Sequence, residues 1–509
     1  MTACDYLLPE GLTLAAAGKA VAELLEVRDG HSCVGERSYY DTFDGRLHEA
    51  GLVALWEDGR LMLLKLGSDR AVARAEMPKP TRPLFTGELP DGSLRAALGP
   101  VLGERALLSL VEIRNRERLF DVLDSERKTV VRLRLQQPAL GRRRLRPRVH
   151  VTAVRGYDKA LRLVDDALTA EIGLKPTDEP LIDEAVAAAG ARPGGTPSRI
   201  EVPLRPGQRA DAAAAAVLKA LLGVTEANMD GALADLDSEF LHDLRVSVRR
   251  TRAVQRELRY VFEPAALAKF RAEFRWLQQI TGDARDLDVY LLEFEQMRAL
   301  VPGPIRSDLG PLHAVLMSRR TAARRRMCRA LRSPKTVALL SDWSSFLDRL
   351  QSDEGARGAA AGRPIDEVAG ERIAKVYARM VRMGDAIGPG SPSTEYHELR
   401  KQGKELRYLL ELFGLPLFSG AVVKPMIKSL KALQDVLGRH QDREVQAATL
   451  GSLGGAVAGD SDGSAALMAM GVLVERLEED QLAAREQFAA RFATFANKRQ
   501  RKLVRETFS

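Results

Sequence analysis

The sequence has few cysteines, few aromatic residues and no long apolar run. Its three cysteines, Cys4, Cys33 and Cys328, are too few and too scattered for a disulfide framework or a zinc site, which fits a reducing compartment. No segment reaches the roughly 18 uninterrupted apolar residues that a spanning helix needs, and the N-terminus lacks a basic region followed by an apolar stretch. We therefore expect a cytoplasmic protein without a membrane partner.

The composition is that of a folded protein, and its charge is only moderately positive. Hydrophobic residues make up 45% and charged residues 29% of 509 residues, which indicates ordinary buried cores and more than one domain. Lysine and arginine number 77 against 69 acidic residues, a net charge of +8. Because the excess is small, the positions of the cations decide what they do.

The first third of the chain has the pattern of an α+β domain. Residues 37–66, 109–135 and 148–156 alternate apolar stretches with turn signals, which predicts strands, whereas 158–170 and 180–190 have helical periodicity. A cluster of Pro, Gly and Ser follows. We predict a first domain over 1–190 and a linker over 191–207.

The remaining residues, 208–509, have the composition and periodicity of long helices only. A Gly-rich break divides them into a bundle at about 208–350, a connector at 351–365 and a second bundle at about 366–509. The halves are related, since Phe240-Leu241-His242-Asp243-Leu244-Arg245 resembles Glu395-Tyr396-His397-Glu398-Leu399-Arg400 at an offset of 155 residues. LQQITGDARDLDV (277–289) and LQDVLGRHQDREV (433–445) repeat at an offset of 156, which indicates a duplicated bundle.

Three predicted helices each carry a stripe of cations. In the first repeat five of them lie within a sector of about 80° at 100° per residue, with apolar residues such as Leu244 and Val248 opposite. The second repeat and the helix before it have the same spacing. The stripes are His242, Arg245, Arg249, Arg252 and Arg256; His397, Arg400, Lys404 and Arg407; and Arg372, Lys375, Arg379 and Arg382.

Other cations are predicted to face the same space, with a less certain orientation. They are Lys219, Arg271, Arg275, Arg285, Lys424, Lys428, Lys431, Arg439 and His440.

Two interpretations of the stripes compete. Charged residues often only solvate a helix surface. Ordinary surfaces mix signs, however, and none of the stripe positions holds an acid. Four or five like charges over roughly 15 to 20 Å repel one another unless an anion lies between them. Guanidinium groups match phosphate oxygens, so a repeating phosphate chain is the favoured ligand. Nucleic acid, another polyanion, ranks second. Proteins that bind it often stack aromatic side chains on the bases, and aromatic residues are only 5% of this chain.

His242 and His397 raise the question of a metal or catalytic site. No His-x-x-His or His-Glu-x-x-His pair accompanies either residue, and we predict no metal, no cofactor and no catalytic residue among the stripes.

At these motifs the sequence resembles the CHAD family, the conserved histidine α-helical domain, over about residues 208–505. The resemblance implies two four-helix bundles related by a pseudo-twofold axis, a basic cavity that holds polyphosphate, and association with polyphosphate granules. The chain departs from the pattern at Gly403 and Glu405, and we expect neither to touch the stripes. The binding residues implied are His242, Arg245, Arg249, Arg252, His397, Arg400, Lys404 and Arg407, with Arg372, Lys375 and Arg379.

The first third resembles the CYTH family through YYDTFDGRLHEAGL (39–52), the Lys65 strand and the strand of Arg114, Arg116 and Arg118. That family is implied to process triphosphates in an antiparallel β-tunnel, with glutamates holding divalent metals. Here residues 3–10 read ACDYLLPE, Leu55 and Trp56 stand where arginines are expected, and carboxylates are replaced by Arg132, Arg134, His150 and Thr152.

Without those carboxylates no metal is held, so we predict a degenerate domain and a protein that is not an enzyme. A metal-dependent triphosphatase is the alternative. We expect any tunnel-facing phosphate ligands to be Lys65, Arg114, Arg116, Arg132 and Arg134, although alternation is equally typical of a solvated strand face. The oligomeric state is left open.

Overall fold

A computed structural model describes residues 3–68, 70–352, 358–459 and 463–508. The chain divides into two compact units, residues 1–198 and 199–509, and the division after Ser198 falls inside the predicted linker. Part of the predicted connector at 351–365, residues 353–357, lies outside the described residues.

The first unit is built on an antiparallel sheet, as predicted. Its order is β10-β1-β9-β7-β6-β2-β3-β4-β5, with β8 paired to β7. The described strands are β1 (Ala3–Leu7), β2 (Val27–Asp41), β3 (Leu52–Glu57), β4 (Arg60–Lys65), β5 (Ala71–Glu76), β6 (Leu108–Leu123), β7 (Thr129–Leu140), β8 (Arg143–Arg144), β9 (Arg148–Ala153) and β10 (Lys175–Pro176).

Five α-helices in the described part of the first unit cover both sides of this sheet. They are α1 (Leu14–Leu24), α2 (Arg46–Glu49), α3 (Ser93–Leu102), α4 (Asp158–Ala167) and α5 (Leu181–Ala188). Successive side chains of a strand point to opposite faces. Helices α1 and α4 pack on the face that carries Phe120 and Leu133, which we call the Arg116 face. Helix α5 packs on the opposite face through Ile182 and Val186, against Ile113. We call that side the Arg37 face, since Arg37 pairs with Ile113 across the strands.

Helices are the regular elements of the second unit throughout its described residues, also as predicted. Its described helices are α6 (Ala210–Ala227), α7 (Met229–Ala234), α8 (Ser238–Glu257), α9 (Pro264–Ile280), α10 (Gly282–Leu292), α11 (Phe294–Ala299), α12 (Gly310–Leu331), α13 (Pro334–Gln351), α14 (Ile365–Ala386), α15 (Ser393–Leu409), α16 (Leu415–Leu417), α17 (Gly420–Val457), α18 (Gly463–Phe495) and α19 (Lys498–Phe508).

The duplication is visible in the packing of the second unit. Helix α6 packs on α8 and α13, and α9 packs on α8 and α13, while α14, α15, α17 and α19 pack in the corresponding way. A further apolar core, which includes Tyr290, Phe294, Leu450 and Leu473, draws on both repeats. The segment 277–289 is interrupted at Thr281, between α9 and α10, whereas its copy lies within the single helix α17.

Two contacts join equivalent or adjacent positions of the repeats. Arg209 and Pro364 form an antiparallel bridge, and Tyr290 Oη donates to the Val445 carbonyl oxygen at 3.3 Å. Arg209 and Pro364 are separated by the repeat offset of 155 residues, and Val445 is the equivalent of Val289, the neighbour of Tyr290, at the offset of 156. Equivalent residues meet only near an axis that relates the two copies, so these contacts are those expected of a pseudo-twofold arrangement.

One segment, Ala210–Ala234, has the length and apolar composition of a membrane-spanning helix. In the structure 56% of its apolar window is buried within the protein, and its helix α6 packs on α8 and α13 through residues such as Leu218 and Leu221. The apolar character is therefore accounted for by a core position.

Candidate functional site

The first stripe lies on α8, and its cations are half-buried rather than fully exposed. The Asp237 carboxylate caps the helix by accepting from the backbone N–H groups of Glu239 and Phe240 at 3.0 and 3.2 Å. Leu244 and Val248 are buried on the opposite side of the helix. Because that side is fixed in the core, the cations are held between the core and the surface.

In the first repeat the stripe is anchored to the end of α9. Arg245 Nη1 donates to the Gln278 carbonyl oxygen at 2.8 Å and to Thr281 Oγ1 at 2.9 Å. The Arg252 guanidinium donates to the side-chain oxygen of Gln278. These acceptors are uncharged, so they orient the two guanidinium groups without neutralising them.

The second repeat shares one of these orienting contacts. Arg407 Nη1 donates to Gln434 Oε1 at 3.0 Å, and Gln434 is the equivalent of Gln278. Arg400 Nη2 donates to Asp442 Oδ1 at 2.9 Å. The ring nitrogen Nδ1 of His397 lies 2.5 Å from Gln441 Oε1. The duplication therefore preserves the glutamine that orients Arg252 and Arg407, whereas the acceptors of Arg245 and Arg400 differ.

Cations of the two repeats influence each other where α8 packs on α15. Burial lowers the pKa of Lys404 to about 8, and the charges of Arg400, Arg249 and Arg407 lower it further against the opposing effect of Asp442. Burial also lowers the pKa of Arg245 to about 10; Asp286 opposes this shift, and Arg249 adds to it. Arg249, the equivalent of Lys404, thus acts on cations of both repeats. We call Arg245, Arg249, Arg400 and Lys404 the central cluster.

Acidic residues that the sequence analysis did not place at the stripes neutralise one end of them. Arg256 Nη2 lies 2.7 Å from Glu405 Oε1, and Arg372 Nη2 donates to Glu257 Oε2 at 2.5 Å. The prediction that Glu405 stays clear of the stripes was therefore wrong. Glu405 is buried where α15 approaches α8, so its carboxylate needs a cationic partner.

A groove of about 550 Å³ between α8 and α9 extends the cationic surface of the first repeat. Its guanidinium groups lie close enough to interact, since burial lowers the pKa of Arg252 and the charges of Arg256, Arg275 and Arg271 lower it further. We call it the α8–α9 groove. It is lined by Arg252, Gln255, Arg256, Ala268, Arg271, Ala272 and Arg275.

The remaining predicted cations fall into three groups. Lys375, Arg379, Arg382, Lys428 and Lys431 are exposed, and in the described part of the chain no carboxylate lies within 4.0 Å of any of them. His242 is half-buried on α8. Arg439 is half-buried, and its Nε and Nη2 have no hydrogen-bond acceptor among the described residues.

His440 is the clear exception among the predicted site residues. It is 1% exposed and its ring stacks on Tyr396 at a centroid distance of 4.9 Å. Burial lowers the pKa of its imidazole, which keeps the ring neutral in the core. His440 is therefore a core residue, and its prediction as a ligand of the anion was wrong.

Two of the additional cations also point elsewhere. Lys219 forms an ion pair with Asp348 of α13, and Arg285 Nη1 donates to the Ser238 carbonyl oxygen at 3.0 Å. Both serve contacts between helices.

The first unit places its charged residues differently from the prediction. Strand register puts Arg114 and Arg116 on the Arg116 face, whereas Arg132 and Arg134 lie on the Arg37 face, so the four cannot line one tunnel. The Arg37 face also holds carboxylates that the sequence analysis did not identify. Arg37 contacts Glu57 at 2.7 Å and Glu117 at 2.9 Å.

These carboxylates are occupied by protein partners. Besides the Arg37 pairs, Asp5 lies 2.7 Å from His150, and Arg148 contacts Glu184 at 2.6 Å. Within the described ranges no group of three or more His, Cys, Asp or Glu side chains is arranged to hold a metal ion.

Comparison with known proteins identifies the second unit. The family model of the CHAD domain matches residues 216–451, so the helical unit carries a CHAD domain. The uncharacterized proteins Rv2226 and MT2285 of two Mycobacterium tuberculosis strains are each 28% identical over 212 residues, which is 40% of this chain and 38% of each relative. The chain therefore matches well under half the length of these relatives.

Three solved structures resemble parts of the chain. The CHAD domain from the plant Ricinus communis is 22% identical, with a TM-score of 0.49, over 58% of this chain and 95% of that one. PptA from Streptomyces chartreusis is 18% identical, with a TM-score of 0.44, over 56% and 99%. The putative adenylyl cyclase HpAC1 from Hippeastrum, described as having a dominant triphosphatase activity, is 14% identical, with a TM-score of 0.28, over 37% and 95%.

Proposed function

We propose that this CHAD domain binds inorganic polyphosphate through the central cluster and the α8–α9 groove. The observation that carries the proposal is the central cluster itself. Burial is the main cause of the lowered pKa of Lys404 and of Arg245, and the charge of Arg249 lowers both further against the opposing effects of Asp442 and Asp286. Half-buried cations of both repeats therefore lie close enough to repel one another. Such an arrangement costs folding free energy, and a bound polyanion would offset that cost.

A phosphate chain fits the geometry better than a single small anion. The stripes follow the helix axes over roughly 15 to 20 Å, so consecutive phosphates can contact successive cations. The α8–α9 groove adds Arg271 and Arg275 beside Arg252. Affinity is therefore expected to rise with chain length until the cationic surface is filled.

The test is a calorimetric titration of the full chain with long-chain polyphosphate at several salt concentrations. We expect the affinity to fall steeply with salt, because binding releases counterions from the polyanion. Arg249→Glu combined with Lys404→Glu should weaken binding by at least roughly a hundredfold, since two cations become two anions. Arg325→Glu combined with Arg329→Glu, on the exposed side of α12, is the matched control with equal charge change.

Two results would contradict the proposal. One is a control variant that loses as much affinity as the central-cluster variant. The loss would then be explained by the change in net charge alone. The other is duplex DNA that competes equally at physiological salt. Nucleic acid would then be the better ligand class, although Tyr260 and Trp276 are few aromatics for base stacking near this surface.

We also propose that the first unit is a non-catalytic module and that the protein associates with polyphosphate granules. Support for a non-catalytic first unit comes from the Arg37 face, where Glu57 and Glu117 share Arg37 instead of standing free for a metal ion.

Association with polyphosphate granules is tested by imaging a fluorescent fusion in cells that accumulate polyphosphate. A diffuse signal in those cells would contradict it.

A further inference from the structure

The first unit contains a large cationic groove on the Arg116 face of its sheet. Its volume is about 1130 Å³, and its walls are formed by the segment from Leu7 to Ala15 and by strands β6, β7 and β8. One carboxylate, Glu10, lies in the lining. The cations of the lining are Arg114, Arg116, Arg142, Arg144, Arg146 and Lys175.

Strand register sets these cations in rows. Arg114 of β6 is opposite Ala139 of β7, and Ala139 is in turn opposite Arg144 of β8. Residues directly opposite each other share a face, so the two arginines flank a small side chain at a separation of about two strand spacings, roughly 10 Å. Arg116 is opposite Gln137, whose amide donates to the Leu145 carbonyl oxygen at 2.8 Å and is thereby fixed.

The groove cations differ from those of the Arg37 face in having no acidic partners. Among the described residues no carboxylate lies within 4.0 Å of Arg114, Arg116, Arg142, Arg144 or Lys175. Glu36 stands opposite Arg114 on β2 but beyond that distance. Arg146 is the exception, since it is paired with Glu179 and Glu184.

We propose that this groove is a second, independent binding site, and that its ligand is a linear inorganic phosphate chain. Five unpaired cations around one cavity raise its potential, and a flexible polyanion can contact several of them at once. The site lies on the sheet face opposite the carboxylates Glu57 and Glu117, so it does not depend on a metal ion held by them.

The lining favours this ligand over two other polyanions. No aromatic side chain contributes to the lining, so the bases of a single-stranded nucleic acid would have no stacking partner. Strands β6 and β7 are each paired on both sides, so they offer no free edge to which an acidic peptide could add a strand. Strand β8 is paired only to β7, but its two residues, Arg143 and Arg144, are too short a ladder to hold an added strand.

The experiment uses the full chain with tripolyphosphate and long-chain polyphosphate as probes. The central cluster is first silenced with Arg249→Glu and Lys404→Glu, and the groove is then reversed with Arg114→Glu and Arg116→Glu. Arg70→Glu with Arg74→Glu is the matched control, since both side chains are exposed in this unit and lie outside the groove. Calorimetry gives the affinity and stoichiometry of each variant.

We expect the silenced variant to retain one site, the groove reversal to weaken that site by roughly tenfold or more, and the control to leave it unchanged. Equal binding by groove and control variants would overturn the inference. Failure of the proposed function gives a different result. In that case silencing the central cluster would leave the affinity for polyphosphate unchanged, and the groove reversal would abolish binding.

A second measurement needs no variant. Arginine-selective dicarbonyl modification of the wild-type chain, read by mass spectrometry, should show Arg114, Arg116 and Arg144 protected by tripolyphosphate. Modification at equal rates with and without tripolyphosphate would overturn the inference. Parallel samples with poly-glutamate or single-stranded DNA should leave these arginines unprotected, and protection by either one alone would assign the groove to that polymer.

Discussion

Arg256 of the first repeat and Glu405 of the second lie 2.7 Å apart, at the end of the α8 stripe. Burial raises the pKa of Glu405, and the neighbouring Glu257 raises it further against the effect of Arg256. Burial also opposes ionisation of Glu257, but hydrogen bonds from Arg372 and Arg256 outweigh it and lower the pKa of that group. One end of the cationic surface is therefore held in a network of alternating charges.

Glu405→Gln is expected to strengthen polyphosphate binding. The amide keeps the shape of the side chain and removes one negative charge, so Arg256 becomes available to a phosphate. We expect affinity to rise by roughly three- to tenfold, the effect of one favourable charge contact. Because Arg256 is partly exposed, the cost in stability should stay within about 1 kcal/mol. Titration and thermal unfolding measure both quantities.

Glu398→Gln is the control for this change, because Glu398 is on the same helix and pairs with Lys401 on its exposed side. It should leave affinity unchanged. Weaker binding by Glu405→Gln would mean that the carboxylate positions Arg256 for the anion instead of competing with it.

Binding should depend on pH through Lys404. The pKa of this side chain is about 8 in the free protein, and a bound anion favours its charged form. Binding therefore takes up a proton above pH 8, and affinity should fall as pH rises from 7.5 to 9.5. In Lys404→Arg the fall should be much smaller over this interval, since arginine stays protonated. Titrations of both proteins at matched ionic strength provide the comparison, and identical pH profiles would exclude Lys404 as the titrating group.

Much of the second unit could be predicted from sequence because its signals are local. Helical periodicity placed the stripes on α8, α14 and α15, and the repeat offset paired Gln278 with Gln434 before their equivalent contacts with Arg252 and Arg407 were known. Charge and spacing along one helix are properties of a single segment, so a sequence displays them directly.

The errors concern contacts between segments that are distant in sequence. The sequence around Glu405 does not show its contact with a stripe, because its partner, Arg256, belongs to the other repeat. His440 has the spacing of a surface cation but is covered by Tyr396. On the sheet, alternation alone could not show that Arg116 and Arg134 lie on opposite faces, because a face is fixed only by the register between β6 and β7.

The first unit is expected not to hydrolyse triphosphates. Incubation of the full chain with tripolyphosphate and Mg²⁺ or Mn²⁺ should release phosphate at well below about 1 s⁻¹, a low value for an enzyme. The physical reason is that Glu117 is engaged by Arg37, so ionised carboxylates are not free to hold a divalent cation. Turnover above that rate that disappears in Glu57→Gln or Glu117→Gln would overturn the expectation.

The two repeats should contribute unequally to binding, although their folds are equivalent. At the offsets of the duplication, Arg256, Arg271 and Arg275 of the α8–α9 groove correspond to Glu411, Ile427 and Lys431. Glu411 contacts Arg250 at 2.9 Å and Arg407 at 3.5 Å, so it consumes positive charge in the second repeat. The first repeat therefore keeps a cluster of guanidinium groups that the second has lost.

Arg275→Glu and Lys431→Glu test this asymmetry, since they reverse one exposed charge at equivalent positions. We expect Arg275→Glu to weaken polyphosphate binding by roughly tenfold or more and to lower the salt dependence by about one charge, because it disrupts the α8–α9 groove. Lys431→Glu should have a clearly smaller effect, because Ile427 and Glu411 stand at the positions where the α8–α9 groove has arginines. Equal losses of affinity in both variants would instead indicate that polyphosphate contacts the two repeats symmetrically about the pseudo-twofold axis.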